Sequence, residues 1–203
     1  MLSPHVTRAL LVVVALLAAC SARTPLRFPP ETSPVPVPSP PPPRVDSDSV
    51  LPWASEEPVF LVVDKKCRTL NLYRYGQLVK SYSAVFGRQP GRKLYEGDRR
   101  TPTGLYMIVG KAHHRRWSRF MLLDYPTEHD VRRYWQHVSA GVVPKRGGGY
   151  PGVGGEIGIH GTDKETLNQV GIDWTFGCIS LSNVDVQEIY AAAPSGTLVY
   201  IKD

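Results

Sequence analysis

The chain has 203 residues, a formal net charge of +6 and a pI near 9.3. That length gives one ordinary domain and an appendage. A basic balance of this size fits nucleic acid, anionic lipid or an acidic polymer equally well, so charge excludes none of them and location has to choose.

The N-terminus speaks to location. His5 and Arg8 make a weakly positive start, and ALLVVVALLAA, Ala9 to Ala19, is apolar throughout. This is the length of a signal-peptide core and short of the roughly 20 residues a spanning helix needs. The following Cys20 completes LAAC, which resembles a bacterial lipobox. The resemblance implies that residues 1–19 are a signal peptide and that Cys20 becomes a lipidated N-terminus. Ser21, rather than Asp, follows it, which in that pattern implies the outer membrane. An ordinary secretory signal cut near Ala19 is the alternative. Either way the mature chain is exported, which argues against nucleic acid as a partner.

Residues 20–57 read as a proline-rich disordered linker. Eleven of the 19 prolines fall between Pro25 and Pro52. Proline fixes φ and removes amide donors, so the segment favours extended polyproline II, with a reach on the order of 100 Å. That suits a domain held away from a membrane.

Residues 58–203 read as one domain. PVFLVVD is an apolar strand, Lys65 and Lys66 mark a turn containing Cys67, and TLNLYRY alternates apolar and polar positions. Gly76 punctuates a hairpin into LVKSYSAVFG. TPTGLYMIV, Thr101 to Val109, reads as a turn and a strand, and RFMLLDY as another strand. KAHHRRWSR reads as a solvated basic loop, in which Lys111, Arg115, Arg116 and Arg119 are candidates for binding an anionic wall polymer. Thr127 with Asp130 starts a helix through VRRYWQHV. GVVPKRGGGYPGVGG is an irregular loop whose part from Gly147 to Gly155, with Tyr150, is a candidate flap. EIGIHG is a short strand ending at His160. Ser182 with Asp185 opens a last helix, and TLVYI closes as a strand. The expected fold is mostly β, a sandwich- or barrel-like mixed sheet with a few short helices.

The chemical question centres on WTFGCISLSN, Trp174 to Asn183, and its Cys178. An acyl-transfer thiol needs a base, an oxyanion site and access. His160 can be the base, and Gly177 lets the backbone bend so that amides face an oxyanion. A buried thiol that fills space is the bland alternative. His113 and His114 are poor metal ligands, because adjacent side chains on a strand point to opposite faces. No compact metal-ligand spacing such as HExxH is present in the sequence.

Taken in order, TPTG, IGIHGT and DWTFGCISLSN resemble the YkuD-type L,D-transpeptidase catalytic domain. In that family a His is followed, after about 14 to 17 residues, by Ser or Thr, then His, Gly and Cys. Here the 14 residues from Gly161 to Trp174 separate His160 from Thr175, and Phe176, Gly177 and Cys178 follow. The likeness runs from Pro58 to Asp203. It implies Cys178 as nucleophile, His160 as base and the Gly161 carbonyl as its orienter. The Gly177 and Cys178 amides would form the oxyanion site, and Thr175, Phe176 and Ser180 would contact substrate. Trp174 either lines the site or packs beside it, packing being the safer reading, and Tyr150 of the candidate flap would close over the cleft and contact substrate. Its substrates would be peptidoglycan stem peptides, attacked at the L-centre of meso-diaminopimelate through a Cys thioester, in the periplasm, with no cofactor or metal.

Two letters depart from the common pattern. Phe176 stands for a second His, and Ser180 for an Arg two residues after the Cys. They leave open an L,D-hydrolase of the same fold that cleaves crosslinks or a wall-linked lipoprotein. A non-catalytic wall-binding lipoprotein is the reading from another class.

Overall fold

The hydrophobic runs after the proline-rich segment become the strands of one sheet. The structure is a computed structural model and describes residues 56–203. The signal-like segment, Cys20 and the linker up to residue 55 lie outside the described residues. In chain order the elements are β1 (Phe60–Asp64), β2 (Thr69–Arg74), β3 (Gln77–Ser83), β4 (Gly104–His114), β5 (Ser118–Leu123), α1 (Glu128–Ser139), β6 (Gly158–His160), α2 (Glu165–Gln169), β7 (Ile179–Ser180), α3 (Asn183–Ala192) and β8 (Leu198–Lys202). Among the described residues no helix is long and apolar enough to cross a membrane.

The sheet has eight strands in the order β3-β2-β1-β8-β4-β5-β6-β7. The β1–β8 and β6–β7 pairs are parallel and the other neighbours antiparallel. β1 is buried on both faces, which is why FLVVD is unbroken, whereas β2 buries only Leu70 and Leu72 and so alternates. Tyr75 and Gly76, with φ of 46° and 76°, make the tight hairpin turn into β3. Beyond β3, the chain leaves one edge of the sheet and meets the other. Val85 bridges Ser180 and Gly87 bridges Thr175. The sheet therefore curls until its edges touch, which is the barrel-like, mostly β form expected from the sequence.

Both capped helices start where the side chains dictate. Thr127 and Asp130 form a reciprocal capping box on α1, and the Ser182 hydroxyl accepts from the Asp185 amide on α3.

Three segments differ from expectation. The basic loop is largely strand, since β4 runs to His114 and β5 begins at Ser118. A bulge between Ile108 and Gly110 breaks the alternation that would have revealed it. Three of its four named cations are used internally, while Arg115 is exposed. Lys111 Nζ donates to the Tyr190 and Ala193 carbonyls at 2.6 and 2.9 Å, where it complements the negative end of α3. Arg119 lies over the Tyr190 ring and Arg116 pairs with Asp163 at 2.5 Å. Lys111, Arg116 and Arg119 are thus not a free carboxylate-binding set. The helix α2 has five residues and no side-chain cap, too short to leave a periodic signal. Finally, the strand expected to reach Gly87 stops at Ser83 and continues only as isolated bridges.

The core packs directly behind β6 and β7. Met121, Ile159, Ile179, Leu181, Val186 and Ile189 are each 0 % exposed. Truncating Ile179 to Ala should cost about 2–5 kcal/mol in urea unfolding, through lost burial and a residual cavity. Val184→Ala, at a position 76 % exposed, should stay within about 0.5 kcal/mol.

Candidate active site

The parallel pairing of β6 with β7 sets the site. Its register aligns Ile159 with Ile179 and His160 with Ser180. Cys178 precedes β7 by one residue, opposite Gly158, and strand parity projects it from the same face as His160. Strand spacing and rise put their Cα atoms roughly 8 Å apart, within side-chain reach. Cys178 is half-buried and stands outside the hydrophobic core cluster, so it does not merely fill space.

His160 is 1 % exposed and its ring is walled by aromatics. Trp117 stacks on it at 4.4 Å and 20°, and Trp174 meets it edge-on at 5.8 Å. His114 also stacks on Trp117, at 4.4 Å. The His114 Nδ1 accepts from the Arg116 and Trp117 amides at 3.2 and 3.0 Å, which fixes the hairpin turn that carries Trp117. Burial and the nearby Arg116 hold His114 below its ordinary pKa, so it remains neutral in this stack.

The imidazole's orientation comes from its neighbour. His160 Nδ1 lies 2.5 Å from the Gly161 carbonyl. A carbonyl only accepts, so Nδ1 carries the proton and Nε2 carries the lone pair. The same carbonyl accepts from the Ser180 hydroxyl at 3.2 Å. Asn168 Nδ2 donates to that hydroxyl at 3.1 Å, and Trp174 Nε1 donates to Asn168 Oδ1 at 2.8 Å. Glycine at 161 is also a steric requirement. A Cβ there would meet Asn183 Oδ1 at 2.3 Å and the Trp117 carbonyl at 2.5 Å. Asn183 needs that space, because it clamps the Thr162 amide and carbonyl at 2.9 and 2.8 Å.

The loop that carries Cys178 is closed by Thr175. Its hydroxyl donates to the Cys178 carbonyl at 2.7 Å and accepts from the Gly177 amide at 3.1 Å. This corrects one expectation, since the Gly177 N–H is engaged and is not free for an oxyanion. The Cys178 amide has no partner among the described residues. Gly177 itself is held at φ 140°, and a Cβ there would meet the Arg100 carbonyl at 2.9 Å. Only glycine fits this bend.

Of the other expected substrate contacts, Ser180 and Thr175 are corrected. Ser180 is 0 % exposed beneath the site, and Thr175 is 2 % exposed with its hydroxyl committed, so neither lines the cleft. Trp174 is buried as packing, with Lys164 Nζ 4.9 Å over its ring. Phe176 is 66 % exposed and remains at the surface beside Cys178. Tyr150 lies under Lys145 and shows no ring contact, ion pair or hydrogen bond to Cys178 or His160. The expected flap is anchored along its second half. Tyr134 Oη, the Glu96 amide and Tyr125 Oη donate to the carbonyls of Pro151, Gly152 and Val153 at 2.5, 2.7 and 3.0 Å. The segment then delivers the Glu156 carbonyl, which accepts from the Cys178 thiol at 3.5 Å.

The electrostatics favour a neutral resting pair. Burial pushes the Cys178 thiol up to about 11, against smaller lowering effects from the Gly158 amide and Lys93. Burial likewise lowers His160 to about 4, despite the Gly161 bond, which acts the other way. Among the described residues no group of three or more His, Cys, Asp or Glu side chains is gathered as a metal site.

The sequence over residues 58–201 matches the YkuD family, described as the L,D-transpeptidase catalytic domain. The chain belongs to this family. Among solved structures it is similar to Bd1075 of Bdellovibrio bacteriovorus, with 18% identity and a TM-score of 0.52, covering 72% of this chain and 48% of that one. It is also similar to the helical cell shape determining protein Pgp2 of Campylobacter jejuni, with 20% identity and a TM-score of 0.51, covering 71% of this chain and 47% of that one. This chain thus spans about half the length of each, and at such identity the likeness is one of fold. No curated protein sequence matches significantly.

Two measurements check the site's electrostatics. The folded state disfavours protonating His160 below its ordinary 6.5 and ionising Cys178 above its ordinary 9.0. In the unfolded chain both groups titrate freely. Stability should therefore be greatest between these values, falling by roughly 3 kcal/mol from His160 as pH drops toward 4. In a Cys67→Ser background, alkylation of Cys178 by iodoacetamide should accelerate steadily above neutrality. A plateau already reached at pH 7 would instead indicate a preformed thiolate–imidazolium pair.

A second prediction concerns Ser180. Restoring the family letter by Ser180→Arg should not supply a substrate contact. It places a guanidinium in closed space and breaks the Asn168–Gly161 link, so we expect several kcal/mol of destabilisation and a large fall in Tm.

Proposed function

We propose that this domain is a peptidoglycan-modifying cysteine acyltransferase, an L,D-transpeptidase. The observation that carries the reading is the pairing of a half-buried thiol with an imidazole on one face of β6–β7, with that imidazole's tautomer fixed by the Gly161 carbonyl. Cys178 Sγ attacks the carbonyl on the L-centre of meso-diaminopimelate in a stem peptide. Its proton passes to His160 Nε2 as the S–C bond forms, consistent with a neutral resting pair. The Cys178 amide, which has no partner among the described residues, would donate to the developing oxyanion. His160 then protonates the departing amine as the C–N bond breaks, leaving a thioester. An acceptor amine attacks the thioester, His160 takes its proton, and the thiol is regenerated. The chain requires no cofactor for these steps. Gly161 and Ser180 serve as positioning groups for His160.

A second reading, hydrolysis by water at the same thioester, is favoured by one observation. Position 180 is closed, so no arginine there holds a substrate. Crosslinks or a wall-linked lipoprotein would then be the substrates. In either case the protein would work in the periplasm; the LAAC motif supports a membrane anchor through a lipidated Cys20, and Ser21 supports the outer membrane.

Purified muropeptides supply the test. Cys178→Ala and His160→Ala should each lose on the order of 10³-fold or more in turnover. A Cys178→Ala protein with full activity would remove both enzyme readings and leave a wall-binding module. Mass analysis of the wild-type products separates the two reactions. Exchanged D-amino acids or new links between diaminopimelate residues mark transfer, which is the expected result, and shortened peptides alone mark hydrolysis.

A further inference from the structure

Two arginines that the mechanism does not use converge beside the nucleophile. Phe176 is two residues before Cys178 and projects into solvent. The Arg88 and Arg99 guanidiniums lie over its ring, 5.3 and 5.6 Å from the centroid. Among the described residues neither makes an ion pair with a carboxylate. Arg88 Nε donates to the Trp174 carbonyl at 3.1 Å, which anchors the side chain and leaves its terminal nitrogens available.

The convergence is built into the backbone. Arg88 N donates to the Thr175 carbonyl and Gln89 N to the Arg99 carbonyl, both at 3.1 Å. A Cβ on Gly87 would meet the Arg99 carbonyl at 2.4 Å, so only glycine lets the two segments touch. Arg99 has φ 59°, a left-handed conformation that costs energy for a residue with a Cβ. The surrounding loop imposes it. Asp98, itself buried, accepts from the Leu94, Tyr95 and Arg100 amides at 2.6, 3.3 and 3.0 Å and pairs with Lys93 at 3.0 Å. A strained residue held by a buried ion pair aims a cation at an exposed aromatic next to the thiol.

Two cations on a flat apolar platform match a carboxylate attached to a short aliphatic residue. One residue of extended peptide spans roughly 3.3–3.6 Å. A carboxylate on the residue whose amine departs therefore lies about that far from the attacked carbonyl. Phe176 is two residues from Cys178, at most about 7 Å between Cα atoms, so a long arginine side chain over its ring can reach back toward a carboxylate held one residue from the attacked carbonyl.

We propose that Arg88 and Arg99, held over Phe176, bind the free α-carboxylate of the D-amino acid whose amine leaves, and so set the substrate class. This rests on the reading of Cys178 as the acylated nucleophile. The site then selects amides formed by the α-amine of a D-residue with a free acid. It disfavours amides formed by a lysine side-chain amine, whose own carboxylate is a whole side chain away. Trimming or exchange at free-acid stem termini follows, rather than release of a polypeptide joined through lysine.

The test uses the full chain and two synthetic stem tetrapeptides, one ending in D-Ala with a free acid and one in its carboxamide. The wild type should cleave the acid with a kcat/KM at least about tenfold above the amide, the worth of a charged hydrogen-bonded pair. Arg88→Lys keeps the charge and loses the planar fork, and Arg99→Asn removes charge while tolerating the left-handed backbone. Each should raise KM for the acid with little change for the amide, and the double variant should bring the ratio near one. Equal wild-type rates on acid and amide would overturn the proposal without needing a folded variant. So would variants that lose the same factor on both substrates. A wild type inert on both, with Cys178 intact, would instead remove the catalytic reading beneath it.

Discussion

The parallel contact between β6 and β7 is the constraint on which the rest of the site depends. It is very short, three residues against two, and joins segments separated by α2 and its flanking loops. Such a ladder cannot hold its own register. It is held by the third segment that closes the sheet. Val85 exchanges hydrogen bonds with Ser180 at 3.0 and 2.9 Å, and Leu181 N donates to the His160 carbonyl at 2.9 Å. Ile159 and Ile179, both fully buried, fix which face looks inward. A slip of one residue would turn His160 or Cys178 into the core, so the closure of the sheet and the geometry of the pair are one requirement.

On that frame the imidazole is fixed from two sides by different physics. Hydrogen bonds running from Trp174 through Asn168 and Ser180 converge on the Gly161 carbonyl, which sets the tautomer. Aromatic rings set the plane, and they also exclude water. Exclusion has an electrostatic consequence, because it weakens the charged form of both His160 and Cys178. Both groups therefore rest neutral, and on the mechanism proposed above charge develops only when a carbonyl arrives to accept the sulfur. Trp117, whose Nε1 is buried without a partner, contributes its ring face rather than its polar edge.

Much of this was legible in the sequence, and the limits have physical causes. Caps such as Thr127–Asp130 and Ser182–Asp185 are local, as is the pattern of β1 and β2, so they read directly. The spacing of His160 and Cys178 carried the family. Phe176 and Ser180 were legible as departures but not in their placement. Simple alternation would put positions 176, 178 and 180 on one face, yet Gly177 at φ 140° breaks the sequence of faces and Phe176 goes to solvent. Ser180 is enclosed by Asn168 of α2, a helix too short to announce itself. Trp117, Arg88 and Arg99 were illegible as site neighbours, because a hairpin turn and edge-to-edge closure bring them there from distant parts of the chain.

These placements are linked. A serine at 180 is small enough to sit under α2, and its hydroxyl joins Asn168 to Gly161. A guanidinium there would displace that helix and remove Trp174 from its bond to Asn168. Closing position 180 thus strengthens the orientation of the base and empties the cleft of the cation that an arginine would have supplied. Positive charge is supplied instead over Phe176, by Arg88 and Arg99, whose segments reach the Cys178 loop only because Gly87 and Gly177 allow backbone to touch backbone. The cations therefore gather at the surface around Phe176 and not at position 180. On the mechanism proposed above they would meet the departing group of a substrate instead of the segment that stays attached to sulfur.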